Sequence, residues 1–146
     1  MRSEYLKKSI RFCCTVNEAV SAHSLTGQAE TAIHAGATMI RYTGEASSAE
    51  MWSELRLLCR LCRSNQIPFV IRDHLYLAKA LGAHGVHLDR SADHSQAVRE
   101  ILGPEAIIGR TVCSPPPDAV DISYLDYIEF SSVKSLRGSP PIRPVG

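Results

Sequence analysis

The sequence contains no apolar run near the roughly 20 residues that a bilayer span requires, so no membrane span is expected. It has almost no net charge. Sixteen Lys and Arg against fifteen Asp and Glu leave +1, which removes any global pull toward nucleic acid or a membrane surface. An anion site would have to come from local clustering of bases. The N-terminal stretch MRSEYLKKSIRF carries bases but no apolar segment leading to a small-residue cleavage site, and a cytoplasmic location is expected. The five cysteines are odd in number and show no disulfide spacing. Cys59 and Cys62 form one CxxC, but a second CxxC is absent, and no His stands at zinc spacing.

What is present accounts for that pair of cysteines. Met51, Trp52, Leu55, Leu58, Cys59 and Cys62 fall on one helical face, with Glu54, Arg56, Arg60 and Arg63 off it, so the thiols are expected in the core. Cys13 and Cys14 lie inside a strand-like run and read as structural. With 146 residues and 45% apolar content, the chain fits one domain with a core of its own.

Strand-like runs alternate with helical patterns. The strands are Ile10–Val16, Thr38–Tyr42, Phe69–Arg72, Gly85–Leu88, Ala106–Val112 and Tyr127–Val133; the helices are Leu25–His34, Ala49–Ser64, Leu75–Leu81 and His94–Leu102. The strands read as continuous apolar runs rather than as alternating ones, the mark of parallel strands covered on both faces. Alternation with short connections predicts right-handed βαβ units. The expected fold is α/β, a parallel (β/α) barrel of TIM type that is incomplete, with about six βα units of eight. It occupies residues 1–134, and residues 135–146 form a tail rich in Pro, Gly and Arg with no period. Ser47-x-x-Glu50 and Asp93-x-x-Gln96 look like capping boxes. Gly36, Gly82 and Gly103 stand where a left-handed residue ends a helix.

In such a fold the chemistry lies at the C-terminal ends of the strands. Five of the six strand ends carry a base: Arg41, Arg72, Arg90, Arg110 and Lys134. Bases between helix N-termini suit phosphate or diphosphate, and Asp73, Asp89 and Asp93 among them suit a bridging Mg²⁺. Other roles stay open. Asp73 is also placed to cap the following helix, Asp93 to cap the next, and Arg72 and Arg90 to pair with Asp89 and Asp73. His87, inside an apolar strand, reads as a satisfied core histidine, and His34, His84 and His94 as solvated.

The run "IPFVIRDHLYLAKALGAHGVHLDRSAD" (Ile67–Asp93), with "REILGPEAIIGRTV" (Arg99–Val112), "LDYIEFSSV" (Leu125–Val133) and "AGATMIRY" (Ala35–Tyr42), resembles the thiamine-phosphate synthase and thiazole tautomerase family. The resemblance extends from about Ile10 to Val133. It implies a TIM barrel that joins an aminopyrimidine methyl diphosphate to a thiazole phosphate and releases diphosphate with Mg²⁺. The family's Gln-x-Arg-x-Lys after the second strand corresponds to Arg41, Thr43 and Glu45, so one base survives, displaced. Its Asn-Asp becomes Arg72-Asp73, and its Gly-Gln-x-Asp becomes Asp89-Arg90-Ser91-Ala92, leaving the second metal carboxylate to Asp93 or Asp89. Its serine after the fifth strand is matched by Thr111. The His two positions on, which the tautomerase uses, is Cys113, arguing against tautomerase activity. Its Gly-Pro is Ser131-Ser132, with Lys134 or Arg137 standing for a later Lys. The resemblance thus assigns Arg41, Thr111 and Lys134 to catalysis, Arg72, Arg90 and Thr43 to substrate, and Asp73, Asp93 and Asp89 to Mg²⁺. Small phosphorylated substrates are the expected partners, without nucleic acid or membrane, and open sheet edges predict self-association. A non-catalytic domain that keeps the scaffold and binds a phosphate ligand is the alternative.

Overall fold

The computed structural model describes residues 2–19, 23–89, 94–114, 122–132 and 143–145. Its elements in chain order are α1 (Arg2–Ser9), β1 (Cys13–Val16), α2 (Leu25–His34), β2 (Met39–Tyr42), α3 (Ala49–Ser64), β3 (Phe69–Arg72), α4 (Leu75–Leu81), β4 (Gly85–Leu88), α5 (Ser95–Leu102), β5 (Ile107–Ser114), β6 (Tyr127–Ser132) and β7 (Arg143–Val145). The strands form one sheet in sequential order, parallel from β1 to β6, with β7 antiparallel on β6. Among the described residues no helix is long and apolar enough to cross a membrane.

Most elements begin and end where the pattern puts them, because Gly and Ser punctuate the chain there. Gly82 ends α4 in the left-handed conformation, φ 66°, as a C-terminal glycine allows. The departures have local causes. Helix α1 is unforeseen; its turn continues through Ile10, whose N–H donates to Leu6 O at 3.0 Å, so β1 starts only at Cys13. Ser48, not Ser47, caps α3: its Oγ accepts the Met51 N–H at 3.1 Å. Glu50 then sits one position short of the reciprocal acceptor. Helix α5 starts at Ser95 behind His94, which makes no side-chain cap bond, and Asp93 lies outside the described residues. β5 runs on to Ser114, pairing with Ser132, so Arg110 and Thr111 are mid-strand rather than terminal. The 135–146 tail supplies β7, where Pro144, lacking an N–H, is tolerated on an edge strand.

The two faces of the sheet differ in kind. Ile40, Tyr42, Phe69, Ile71, Val86, Leu88 and Ile108 point to the helices and pack with Leu25, Leu55, Leu58, Cys59, Cys62, Leu77 and Val98. The CxxC thiols are therefore core, and burial, with Cys59 close by, pushes the Cys62 pKa up to about 12. On the other face Met39, Val70, Ile107 and Tyr127 form a smaller apolar cluster beneath Leu6 of α1 and Ile10 just after that helix. Further along the strands this inner face turns polar.

That inner face is curled. Arg41 on β2 reaches Tyr127 and Glu129 on β6 with three strands between them. On a flat sheet four inter-strand steps of about 4.8 Å would hold them about 19 Å apart, beyond the reach of an arginine. The six parallel strands thus form part of a (β/α) barrel, with the inner face as its interior.

Candidate active site

Within the barrel interior, alternate residues of β2, β4, β5 and β6 bring five polar side chains together. Arg41 grips Glu129 with both guanidinium ends, Nη1 to Oε2 at 3.1 Å and Nη2 to Oε1, and Nη2 also donates to the Tyr127 hydroxyl at 3.3 Å. The Tyr127 hydroxyl lies 3.0 Å from His87 Nδ1, and His87 Nε2 lies 2.8 Å from Thr111 Oγ1 and 3.8 Å from Glu129 Oε2. The rings of His87 and Tyr127 stack at 5.6 Å. Glycine makes the room: a Cβ on Gly109 would fall 2.0 Å from the Tyr127 ring, so no other residue fits there without moving it.

Burial sets the charges. Arg41 is 7% exposed and His87 1%. For Arg41, burial disfavours the charge, but the Glu129 hydrogen bonds outweigh it and hold the guanidinium protonated beyond its ordinary range. Burial, and after it the Arg41 charge, pushes the His87 pKa down to about 3, so the ring is neutral. Burial also raises the Tyr127 pKa and keeps the phenol protonated. Arg41 is thus the internal counter-ion of Glu129, not the solvated rim base that its place near a strand end suggested. Its buried Nε has no hydrogen-bond partner among the described residues.

A second group lies at the ends of β3 and β4. Asp73 adopts φ +59°, a left-handed conformation that aspartate tolerates better than most residues. That turn lets its N–H donate to His87 O at 3.0 Å while its Oδ1 accepts the Asp89 N–H at 2.7 Å, fastening the two strand-end loops together. The N-cap position of α4 is His74, whose side chain makes no cap hydrogen bond, and Asp73 stands one residue before it. Arg72 donates to Thr43 O at 2.8 Å and stands 3.9 Å from Asp89 Oδ2. The Thr43 hydroxyl accepts from the Asn17 amide at 3.1 Å. Arg72, Thr43, Asp73 and Asp89 therefore share one rim. Arg110 has the parity of Ile108 and belongs to the opposite face. Arg90, Asp93 and Lys134 lie outside the described residues.

The loop after β2 closes on an acid. Glu18 Oε1 accepts the Tyr42 hydroxyl and the Glu45 N–H, both at 3.1 Å, and the Ala46 N–H donates to the Tyr42 oxygen at 2.8 Å. Desolvation works against the Glu18 charge, yet the backbone and Tyr42 hydrogen bonds prevail and hold its pKa below the ordinary value. Where the resemblance aligns a lysine, Glu45 instead offers its backbone N–H to an internal carboxylate.

Sequence reasoning missed Glu129 and Tyr127, placed His87 correctly in the core, and misjudged His84, which is half-buried with Nδ1 accepting the Phe69 N–H at 3.0 Å. Parity was the available signal. Arg41, Arg72, His87, Thr111, Tyr127 and Glu129 all face inward once the register is known.

The model of the family described as thiamine monophosphate synthase matches residues 12–135. A thiamine-phosphate synthase of Persephonella marina is 38% identical over 107 residues, covering 71% of this chain and 51% of that protein. One from Marinobacter nauticus is 32% identical over 139 residues, covering 91% of this chain and 63% of that protein. The chain thus spans between half and two thirds of these relatives' length. The solved thiamine phosphate pyrophosphorylase from Pyrococcus furiosus superposes with a TM-score of 0.73 at 24% identity, covering 88% of this chain and 63% of that one, and shares the fold.

Proposed function

Because the chain belongs to the thiamine monophosphate synthase family, we propose that its rim serves thiamine-phosphate synthesis, binding diphosphate-bearing substrates. The reaction joins an aminopyrimidine methyl diphosphate to a thiazole phosphate and releases diphosphate. The observation that carries this reading is the fastening of Asp73 to Asp89 beside Arg72, two acids and a base at neighbouring strand ends. The relatives' names favour synthesis over a non-catalytic scaffold.

Mg²⁺ fits this donor set. Among the described residues no group of three or more His, Cys, Asp or Glu gathers to hold an ion, but Mg²⁺ is commonly bound by one or two carboxylates plus substrate phosphates. Asp73 and Asp89 would hold it, and the ion would offset the charge of a departing diphosphate. Arg72 would add a guanidinium to the phosphate oxygens, and Thr111 a hydroxyl. The reading includes a cytoplasmic setting and self-association through the outer edge of β1, which among the described residues pairs with β2 alone. A concentration-independent monomer in light scattering would remove the latter.

The test is thermal melting with diphosphate, Mg²⁺ or both, beside an assay for thiamine phosphate. Diphosphate with Mg²⁺ at a hundredfold excess over its Kd should add about 2.7 kcal/mol of stability, and neither alone as much. In Asp73→Asn the amide oxygen still accepts the Asp89 N–H, so only the Mg²⁺-dependent part should vanish. No Mg²⁺-dependent gain in the wild type would reduce Asp73 to a loop fastener.

A further inference from the structure

We infer that His87, held by Tyr127 and the Arg41–Glu129 pair, is a positioning residue that fixes the Thr111 hydroxyl as a hydrogen-bond donor toward the ligand. The argument is an accounting of hydrogens. A guanidinium has donors only, so the Tyr127 oxygen accepts from Arg41 Nη2 at 3.3 Å. The phenol's own hydrogen then needs an acceptor inside a buried site, and the described partner that offers one is His87 Nδ1, 3.0 Å away. With Nδ1 accepting, the ring hydrogen sits on Nε2. That nitrogen faces two acceptors, Thr111 Oγ1 at 2.8 Å and the Glu129 carboxylate at 3.8 Å, and the negative charge favours a hydrogen there. Thr111 therefore accepts from His87, and its own O–H is directed onward.

The reverse polarity fails on the same count. An Nδ1–H would give the Tyr127 oxygen two donors and leave the buried phenol hydrogen with no described acceptor, a group that costs about 1–3 kcal/mol when unsatisfied. The chain thus runs one way, from Arg41 through Tyr127 and His87 to Thr111. Its last member asks for an acceptor such as a phosphate oxygen and disfavours a ligand donor at that spot. Glu129 contributes twice, by holding Arg41 and by biasing Nε2. This inference rests on the proposed function for Thr111 facing the ligand, whereas the ring tautomer does not.

The test has two arms on the whole chain. Long-range ¹H–¹⁵N NMR at pH 7 without metal reads the His87 ring, and the expected signature is a protonated Nε2 beside an acceptor Nδ1. An Nδ1–H or doubly protonated ring overturns the inference. Calorimetry with inorganic diphosphate then compares wild type, Tyr127→Phe, Thr111→Val, Thr111→Ser and the Tyr127→Phe/Thr111→Val double variant. Tyr127→Phe keeps the ring but not the hydroxyl, and it should weaken binding by about fivefold to tenfold, the worth of one neutral hydrogen bond. Thr111→Ser should retain affinity. Tyr127→Phe should add no further loss in the Thr111→Val background. Independent, additive losses, or no loss in Tyr127→Phe, overturn the inference. A wild type that binds no diphosphate sinks the proposed function, and the ring tautomer then decides this inference alone.

Discussion

The two faces of the sheet are built from the same strands yet stabilised by different means. On the helix-covered face Ile40, Phe69, Ile71, Val86 and Ile108 are fully buried against aliphatic and aromatic neighbours, and each contact is non-directional. On the inner face Arg41, His87, Thr111, Tyr127 and Glu129 satisfy one another through directed bonds. Apolar packing tolerates exchange of one aliphatic for another of like volume. A buried polar network does not tolerate the loss of one member, because the remaining partner is left buried and unsatisfied. Fold stability therefore belongs mainly to the outer face, and the geometry of the site to the inner one.

The largest expected effect separates the two directly. Glu129→Ala should cost about 3–5 kcal/mol by stranding the Arg41 charge, while Arg41→Met with Glu129→Met should recover most of that loss, since an apolar pair needs no counter-ion. Urea denaturation of the three proteins checks this, and a double variant as unstable as Glu129→Ala would erase the distinction. Next, Leu58→Ala on the outer face should cost about 2–5 kcal/mol with no ligand-dependent component. A changed diphosphate affinity in that variant would show the faces to be coupled. Gly109→Ala should cost about 1–3 kcal/mol through overpacking. Because the new methyl meets the Tyr127 ring, it should also alter the His87 ring signals, and unchanged signals would mean that the ring has room to spare.

The smallest effect concerns Glu18. Its lowered pKa means that the folded state holds the carboxylate charged more readily than the unfolded chain does. The stability it contributes is present above its ordinary value of 4.5 and is lost as the pH falls through the folded pKa. Glu18→Gln should flatten the acid limb of the stability curve below about pH 4.5 and leave neutral-pH binding of diphosphate to the Asp73–Asp89 rim unchanged. An unaltered limb would remove Glu18 from the acid response.

Legibility followed the same division. β3, β4, α2, α3 and α4 were readable because apolar runs and helical spacing report burial against helices, whichever face of a strand is inward. Asp73 and Arg72 were readable as strand-end residues. The network was not, because a parallel strand covered on both sides hides its parity: nothing in "MIRY" says that Arg41 points inward until the pairing with β3 is known. Glu129 was hidden further by its distance in sequence, 88 residues from the base it neutralises. Helix α1 escaped because Glu4, Lys7 and Lys8 dominate it, and of the two residues that anchor this segment, Leu6 stands alone among polar neighbours and Ile10 reads as the start of the first strand.

Helix α1 also has a consequence for the order of folding. The strands pair in sequence order, so their contacts close over short loops; the bond from Arg72 to Thr43, between neighbouring strand ends, spans 29 residues. Arg2, by contrast, binds Asp126 Oδ1 and Ala106 O, both at 3.1 Å, and the Asp126 bond spans 124 residues. About two doublings of loop length add about 1.2 kcal/mol of closure entropy. Neither partner is in place before β5 and β6 have formed. The element that comes earliest in the chain is thus expected to dock late, seating itself under a nearly finished sheet, and hydrogen exchange should find α1 opening well before the strands it covers.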